Sequence, residues 1–324
     1  MQVSPVLVIG ASGFVGRHLC VALEAAGVRV RRASSRRTWV ESAPTPQEWV
    51  SLDVTDEGSL GAALEDCRSL VYLYHALGTG EGYQEREARA ATRLQEAASR
   101  AGVQRVVYLG GVIPRTERSQ HLESRRVTGE ILRAGRVSTI ELRAAMIIGH
   151  GSASFNLIRD LAVRVPLLAL PPWLDNGSFP VAIDDVVYAL ARALYLPDER
   201  SRWFELPGPE WVTHREVVKR LSALLGTRVF GRRVSLLTPS LSARLLALIG
   251  RERREMVDEL VSGLPSDLTP HGESFWESIQ ERPQVTLREA ILNALADEAS
   301  RRQPSAATRE RLRARGETLR GLAQ

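Results

Sequence analysis

The chain has 324 residues, 44% of them hydrophobic and 25% charged, with a formal net charge of +5 at pH 7. That length suits about two domains, or one α/β sheet with a small appended subdomain, and the apolar fraction is enough for a sizeable core. Cys20 and Cys67 fall in helical patterns and read as packing residues, and the six histidines do not cluster with cysteines or carboxylates, so neither a disulfide framework nor a metal site is expected.

The first 150 residues alternate short apolar strands with helical patterns. Strands are predicted over 5–9, 28–33, 49–52, 70–74, 105–109 and 139–142, with helices over 15–26, 57–66, 84–101 and 123–134 between them. The strands are continuous apolar runs, as in a parallel sheet covered by helices on both faces. A helix over 152–165 then leads into an apolar, proline-rich loop at 166–173, and Asp184 and Asp185 read as caps of a helix over 183–194. A strand over 203–206 precedes Thr213 and Glu216, a capping box for a helix that runs to 225. The remainder reads as helical, over 240–249, 251–262 and 287–296.

The N-terminus begins directly with a strand and shows no leader pattern, and no run of about 18 uncharged apolar residues occurs, so a cytoplasmic protein without a membrane span is expected. The segment 301–324 carries seven arginines against Glu310 and Glu317, which accounts for the whole net charge. It reads as a flexible basic tail, and a nucleic-acid partner is not expected.

The strongest motif is Gly10-Ala11-Ser12-Gly13-Phe14-Val15-Gly16. It follows an apolar strand and opens a helix that ends at Gly27 before a second strand, which is the context a dinucleotide fingerprint requires. Gly10 allows the tight turn, Gly13 lets backbone approach a pyrophosphate, and Gly16 permits close packing of helix on sheet. The N–H groups of the first helical turn, from about Phe14, face the diphosphate. At the end of the second strand an NAD site would carry Asp or Glu, but no acidic residue occurs between Glu24 and Glu41. Arg31-Arg32-Ala33-Ser34-Ser35-Arg36-Arg37 instead offers guanidinium and hydroxyl donors to a 2′-phosphate, with Arg36 and Ser34 the best placed. The expected cofactor is therefore NADP(H), held by Gly10, Ser12, Gly13, Phe14, Val15, Gly16, Ser34, Arg36, Asp53, Val54 and His75. Asp53 would meet the adenine edge, or would cap the next helix. The fold class is α/β, a Rossmann doubly wound parallel sheet with a small, mostly helical C-terminal subdomain.

With the glycine motif, the segments 52–60, Leu142-Arg143 with Ile148-Gly149, 181–185 and 204–208 resemble, in that order, the extended and atypical short-chain dehydrogenase/reductase superfamily. The resemblance is closest to its NmrA-like and complex I 39-kDa-subunit-like branches and covers about residues 5–235, while 237–241 is similar to bacterial atypical members. It implies roughly seven parallel strands, with a small C-terminal subdomain closing over the nicotinamide. The expected division is 1–210 for the nucleotide-binding domain, 211–300 for the helical subdomain and 301–324 for the tail.

Active members of that superfamily commonly use Tyr-x-x-x-Lys with an upstream serine. Here the single lysine is Lys219, with Arg215 four residues before it. Aligning the crossover helix places His121 and Arg125 at the tyrosine and lysine positions, and the strand end that would offer serine is Gly110-Gly111. Arg125 would bind ribose hydroxyls through its fork, and His121, with an ordinary pKa of roughly 6.5, would donate a proton. Tyr74 and His75 are alternative donors; all of these also read as packing or solvated side chains. Carbonyl reduction by the usual triad is excluded.

Two functions remain open: an NADPH-dependent oxidoreductase passing hydride to a quinone or conjugated carbonyl, and a non-catalytic NADP(H)-binding sensor, regulator or assembly factor. Nucleotide-sugar epimerase or dehydratase chemistry ranks last, because it needs the absent tyrosine and lysine. The partner is a small hydrophobic acceptor, which the segment 162–173 with Trp173 and Phe179 would suit, or another protein.

Overall fold

The computed structural model describes residues 4–35, 48–76, 80–115, 119–164, 167–170, 172–197, 199–227, 230–233, 254–300 and 304–319. Its first half runs β1 (Val6–Ile9), α1 (Phe14–Ala25), β2 (Val30–Ser34), β3 (Trp49–Ser51), α2 (Glu57–Leu64), β4 (Ser69–Tyr72), α3 (Tyr83–Arg100), β5 (Arg105–Gly111), α4 (Gln120–Ala134) and β6 (Ser138–Ala144). There follow β7 (Ile147–Ile148), α5 (Ala153–Arg164), β8 (Leu167–Leu170), a 3-10 turn (Pro172–Asp175), β9 (Gly177–Ser178), β10 (Val181–Ala182), α6 (Ile183–Ala193) and β11 (Arg202–Glu205). The chain closes with β12 (Val212–Thr213), α7 (His214–Leu224), β13 (Phe230–Arg233), α8 (Arg254–Ser262), α9 (Phe275–Ser278), α10 (Leu287–Ser300) and α11 (Ala306–Leu319).

Seven parallel strands form one sheet in the order β11-β6-β5-β4-β1-β2-β3. The expected doubly wound fold is the one observed. Alternation along β1 explains the two layers: Val6 and Val8 face a core shared with Leu19 and Leu23 of α1 and with α6, while Leu7 and Ile9 face Leu60, Leu94 and the helices of the other side. The strand order reverses at β1, so the crevice for a ligand opens beyond the carboxyl ends of β1 and β4. A separate apolar cluster joins α5, α7, α8 and α10 through residues such as Phe155, Leu221, Val257 and Ile291. Among the described residues, no helix is long and apolar enough to cross a membrane.

Two expectations need correction. The segment 166–173 contains β8, which pairs in parallel with β13, Leu167 opposite Phe230. A partner some 60 residues away (Leu167 to Phe230) leaves no local trace in the sequence. The tail read as flexible is also, over 304–319, a packed element. Leu312 and Leu319 join the core of α1 and α6, and a Cβ on Gly316 would lie 2.6 Å from the Ala22 carbonyl oxygen. Two of its arginines tie it to the fold: Arg311 meets Asp184 at 3.0 Å and Arg315 meets Asp185 at 2.8 Å. Asp184 and Asp185 therefore anchor α11 to α6, and Asp185 also accepts the backbone N–H groups of Gln284 and Val285. The helix expected over 240–249 and the motif 237–241 lie outside the described residues.

A buried ionic cluster ties β6 to β11. Glu141, fully buried, meets Arg133 at 2.8 Å and Arg143 at 2.9 Å, and Gly110 and Gly129 leave the space that its carboxylate fills. Arg143 stacks 4.0 Å over the Trp203 ring. Beside it on β11, burial pushes the Glu205 carboxyl up to about 7, against the Arg143 charge, which lowers it. The folded state thus binds a proton that the unfolded chain releases near pH 4.5, and stability is lost as pH rises from there through about 7. Melting temperature against pH should show Glu205→Gln matching the parent at pH ~5 and exceeding it at pH ~8, by up to about 3 kcal/mol; parallel curves would refute this.

Candidate nucleotide cleft and adjoining chamber

Gly10 turns the chain off β1 with φ +87°, a left-handed conformation that favours glycine, and a Cβ there would also press on the Leu73 carbonyl at 3.2 Å. Gly13 is the N-cap of α1 and supplies no capping side chain, so the first-turn N–H groups are left to other acceptors. A Cβ on Gly16 would lie 2.3 Å from the Gly10 carbonyl oxygen. Gly10, Gly13, Phe14, Val15 and Gly16 line a cleft of about 420 Å³. An uncapped helix start under a cradle that Cβ atoms would fill fits a diphosphate.

At the ribose end, the Ser12 and Ser34 hydroxyls lie 2.9 Å apart, joining the glycine loop to the end of β2. Arg31 donates to the carbonyl oxygens of Ala63 and Glu65, and Arg32 pairs with Glu24 and Glu48, so both are engaged in the fold. Arg36 lies outside the described residues. Asp53 does not cap α2. Asp56 does, accepting from the Ser59 N–H at 2.8 Å. The Asp53 carboxylate instead accepts from the Thr55 hydroxyl at 2.6 Å and the Thr55 N–H at 2.8 Å, which holds it below the usual carboxylate range. Val54 is buried in the core, so only its backbone can reach a nucleotide.

At the other end of the cleft stand His75, His121 and Arg125. His121 and Arg125 lie one turn apart on α4 and so share a face. His75 is exposed at the cleft mouth, while desolvation, with the Arg125 charge second, pushes the half-buried His121 imidazole down to about 3. His121 is therefore neutral at physiological pH: it can hydrogen-bond an oxygen, but it is not the imidazolium acid expected from an ordinary histidine. Arg125 sits in the field of Tyr108 and Glu87. Sequence reasoning missed Glu87, a buried carboxylate on α3 that accepts from the Ala76 N–H at 2.6 Å and from the Ser124 hydroxyl. Its alternating charged neighbours on α3 made it look like a solvated face. Lys219 is exposed on α7 and lines neither cavity.

The cleft continues into a second cavity, of about 110 Å³, through five residues that line both: Gly111, His121, Ala144, Ala145 and Ser154. Its walls are apolar, including Met146, Leu157, Ile158, Leu161 and Trp173. Trp173 lines the chamber, and Phe179 is not among its described lining residues. Ser154 was not singled out by sequence, since a serine at the start of a helix reads as a cap.

Residues 6–130 match the NAD dependent epimerase/dehydratase family. The match covers the N-terminal part of the nucleotide-binding half, from β1 to α4. Among curated proteins, the chain is similar to a ceramide reductase of Caulobacter vibrioides, 28% identical over 172 residues, 50% of this chain and 52% of that one. The chain thus spans about half the length of the curated relative it matches. Among solved structures, the Citrobacter sp. triphenylmethane reductase complexed with NADP(H) superposes with a TM-score of 0.70 at 17% identity, over 90% of this chain and 99% of that one. A superfamily protein from Agrobacterium tumefaciens with bound NAD does so with a TM-score of 0.68 at 16% identity, over 91% and 97%. These likenesses bear on the fold: an NAD(P)-binding Rossmann architecture of the epimerase and reductase kind.

Proposed function

We propose that the protein is an NADP(H)-dependent reductase whose acceptor is an apolar quinone or conjugated carbonyl. The observation that carries this reading is the continuity of the glycine-loop cleft with an apolar chamber, at a junction where His121 and Ser154 are the polar side chains. Gly10, Gly13, Gly16 and the start of α1 would hold the diphosphate, Ser34 and Arg36 the 2′-phosphate, and His75 and Arg125 the nicotinamide end. When bound, the reduced cofactor supplies a hydride. The chain's own part is to bind, orient and exclude water. Neutral His121 donates a hydrogen bond to the acceptor oxygen, and the Arg125 charge favours the negative charge that develops there. A quinone asks little more, because aromatisation drives its reduction and positioning supplies much of the rate. The names of the Citrobacter neighbour and the Caulobacter relative, both reductases, favour this reading over a sensor.

The test is NADPH oxidation, followed at 340 nm, with 2-methyl-1,4-naphthoquinone and benzalacetone as acceptors. Turnover is expected, with kcat lowered at least about 10-fold in His121→Phe and partly restored in His121→Gln. Because His121 stays neutral, kcat/KM should be level from pH ~5.5 to ~8. An acid limb near pH ~6.5 that vanishes in His121→Gln would contradict the neutral role, and binding without turnover would favour the sensor.

A further inference from the structure

The apolar chamber contains three polar side chains that the cleft does not use. Ser178 is 1% exposed, His214 2% and Trp173 7%, and all three line the cavity. The Ser178 hydroxyl, both ring nitrogens of His214 and the Trp173 indole N–H have no hydrogen-bond partner among the described residues. Unpartnered polar groups at such depth are costly, and a cluster of them in one apolar cavity marks a place where a ligand supplies the missing bonds.

The local fold explains the convergence. β9 pairs antiparallel with β12, setting Val212 opposite Ser178, and β12 runs directly into α7, whose first residue is His214. The His214 N–H donates to the Asn176 carbonyl at 2.9 Å, and the 3-10 turn carrying Trp173 immediately precedes. The three side chains are thus fixed to short paired strands and a helix start rather than to a free loop, which keeps their geometry. Burial pushes the His214 imidazole down to about 4, against the charge of Asp267, so it offers one donor and one acceptor. Among the described residues no Asp, Glu, Lys or Arg lines the chamber, which disfavours a charged ligand.

We propose that the chamber is a two-ended substrate site, in which Ser178, His214 and Trp173 hold a carbonyl or hydroxyl group at the end of an uncharged acceptor away from the cleft, while its reducible group lies at His121. The proposal rests on the reductase reading for its orientation, but not for its binding chemistry. It selects acceptors with oxygen at both ends over those with one, as a site built to satisfy buried polar groups does. The cavity has room for roughly eight water-sized groups, which suits a single substituted ring or a short chain.

The test is calorimetric titration of the full chain, with and without saturating NADP⁺, using benzalacetone and 4-hydroxybenzalacetone, which differ by one distal hydroxyl. The hydroxylated compound should bind at least about 10-fold tighter. That ratio should fall to within about 2-fold in His214→Leu and in Ser178→Ala, and Trp173→Phe, which removes the indole N–H together with the five-membered ring while keeping an aromatic side chain, should also lower it. A ratio near one in the parent, an unchanged ratio in all three variants, or no binding of either compound overturns the proposal. Binding with the expected ratio but no NADPH oxidation upholds the site and refutes the reductase reading; oxidation without the ratio does the reverse.

Discussion

Gly16→Val is expected to abolish nucleotide binding, with NADPH affinity falling at least about 100-fold and stability by about 1–3 kcal/mol or more. The cause is backbone against backbone. A Cβ at this position lies 2.3 Å from the Gly10 carbonyl oxygen and 2.7 Å from the Ala11 Cα, so no rotamer relieves the overlap and the loop itself must move. Gly10 already occupies a left-handed conformation against Leu73, which leaves the turn little freedom to yield. The control is Gly61→Ala in α2, where nothing lies within 4 Å of the added carbon. That change should stabilise by up to about 1 kcal/mol through helix propensity. Nicotinamide fluorescence titration and thermal melting report both effects. Normal NADPH affinity in Gly16→Val would remove the glycine loop from the cofactor site.

Arg315→Leu should cost about 3 kcal/mol, a fall of roughly 4–5 °C in melting temperature for a chain of this length. Asp185 is fully buried and its ion pair with Arg315, at 2.8 Å, is one of the contacts that pin α11 across α6. Removing the guanidinium leaves an uncompensated buried carboxylate, the costly half of a broken pair. Desolvation already raises the Asp185 carboxyl above its ordinary range, and Arg315 is first among the groups that oppose this. Without Arg315 the ionised form becomes costlier still, so the deficit should be larger at pH ~7 than at pH ~4. Adding Asp185→Asn to Arg315→Leu should recover part of the loss, whereas Arg313→Leu, on the exposed side of α11, should change stability by less than about 0.5 kcal/mol. Equal effects at positions 313 and 315 would return the helix to the status of a solvated tail.

The comparison of α1 and α11 shows where sequence is informative. Around α1, apolar β1, the glycine spacing and the cap at Gly27 all act within 25 residues, so local pattern carries the whole unit. In α11 the packing residues Leu312, Gly316 and Leu319 sit among seven arginines of the terminal segment, and charge masks the stripe. The acidic partners, Asp184 and Asp185, lie about 127 residues earlier at a helix start, where a cap is the local explanation. The same limit applies to β8 and β13, and to the chamber. His121 and Arg125 could be found because one helix turn presents both. Ser178, His214 and Trp173 come together only through the β9–β12 pairing, and His214 looked like an ordinary residue after the Thr213 cap. Glu87 illustrates a further case: its burial depends on bonds to Ala76 and Ser124 from two other segments.

The central claim, an NADP(H) site at the head of β1 and β2, is tested most directly by titrating the protein with NADPH and with NADH under nicotinamide fluorescence, alongside Arg36→Glu. The account predicts sub-millimolar NADPH binding, at least about 10-fold tighter than NADH, with that preference lost in Arg36→Glu. Failure of both nucleotides to bind below about 1 mM would contradict it and leave a Rossmann-shaped interaction module in place of a reductase.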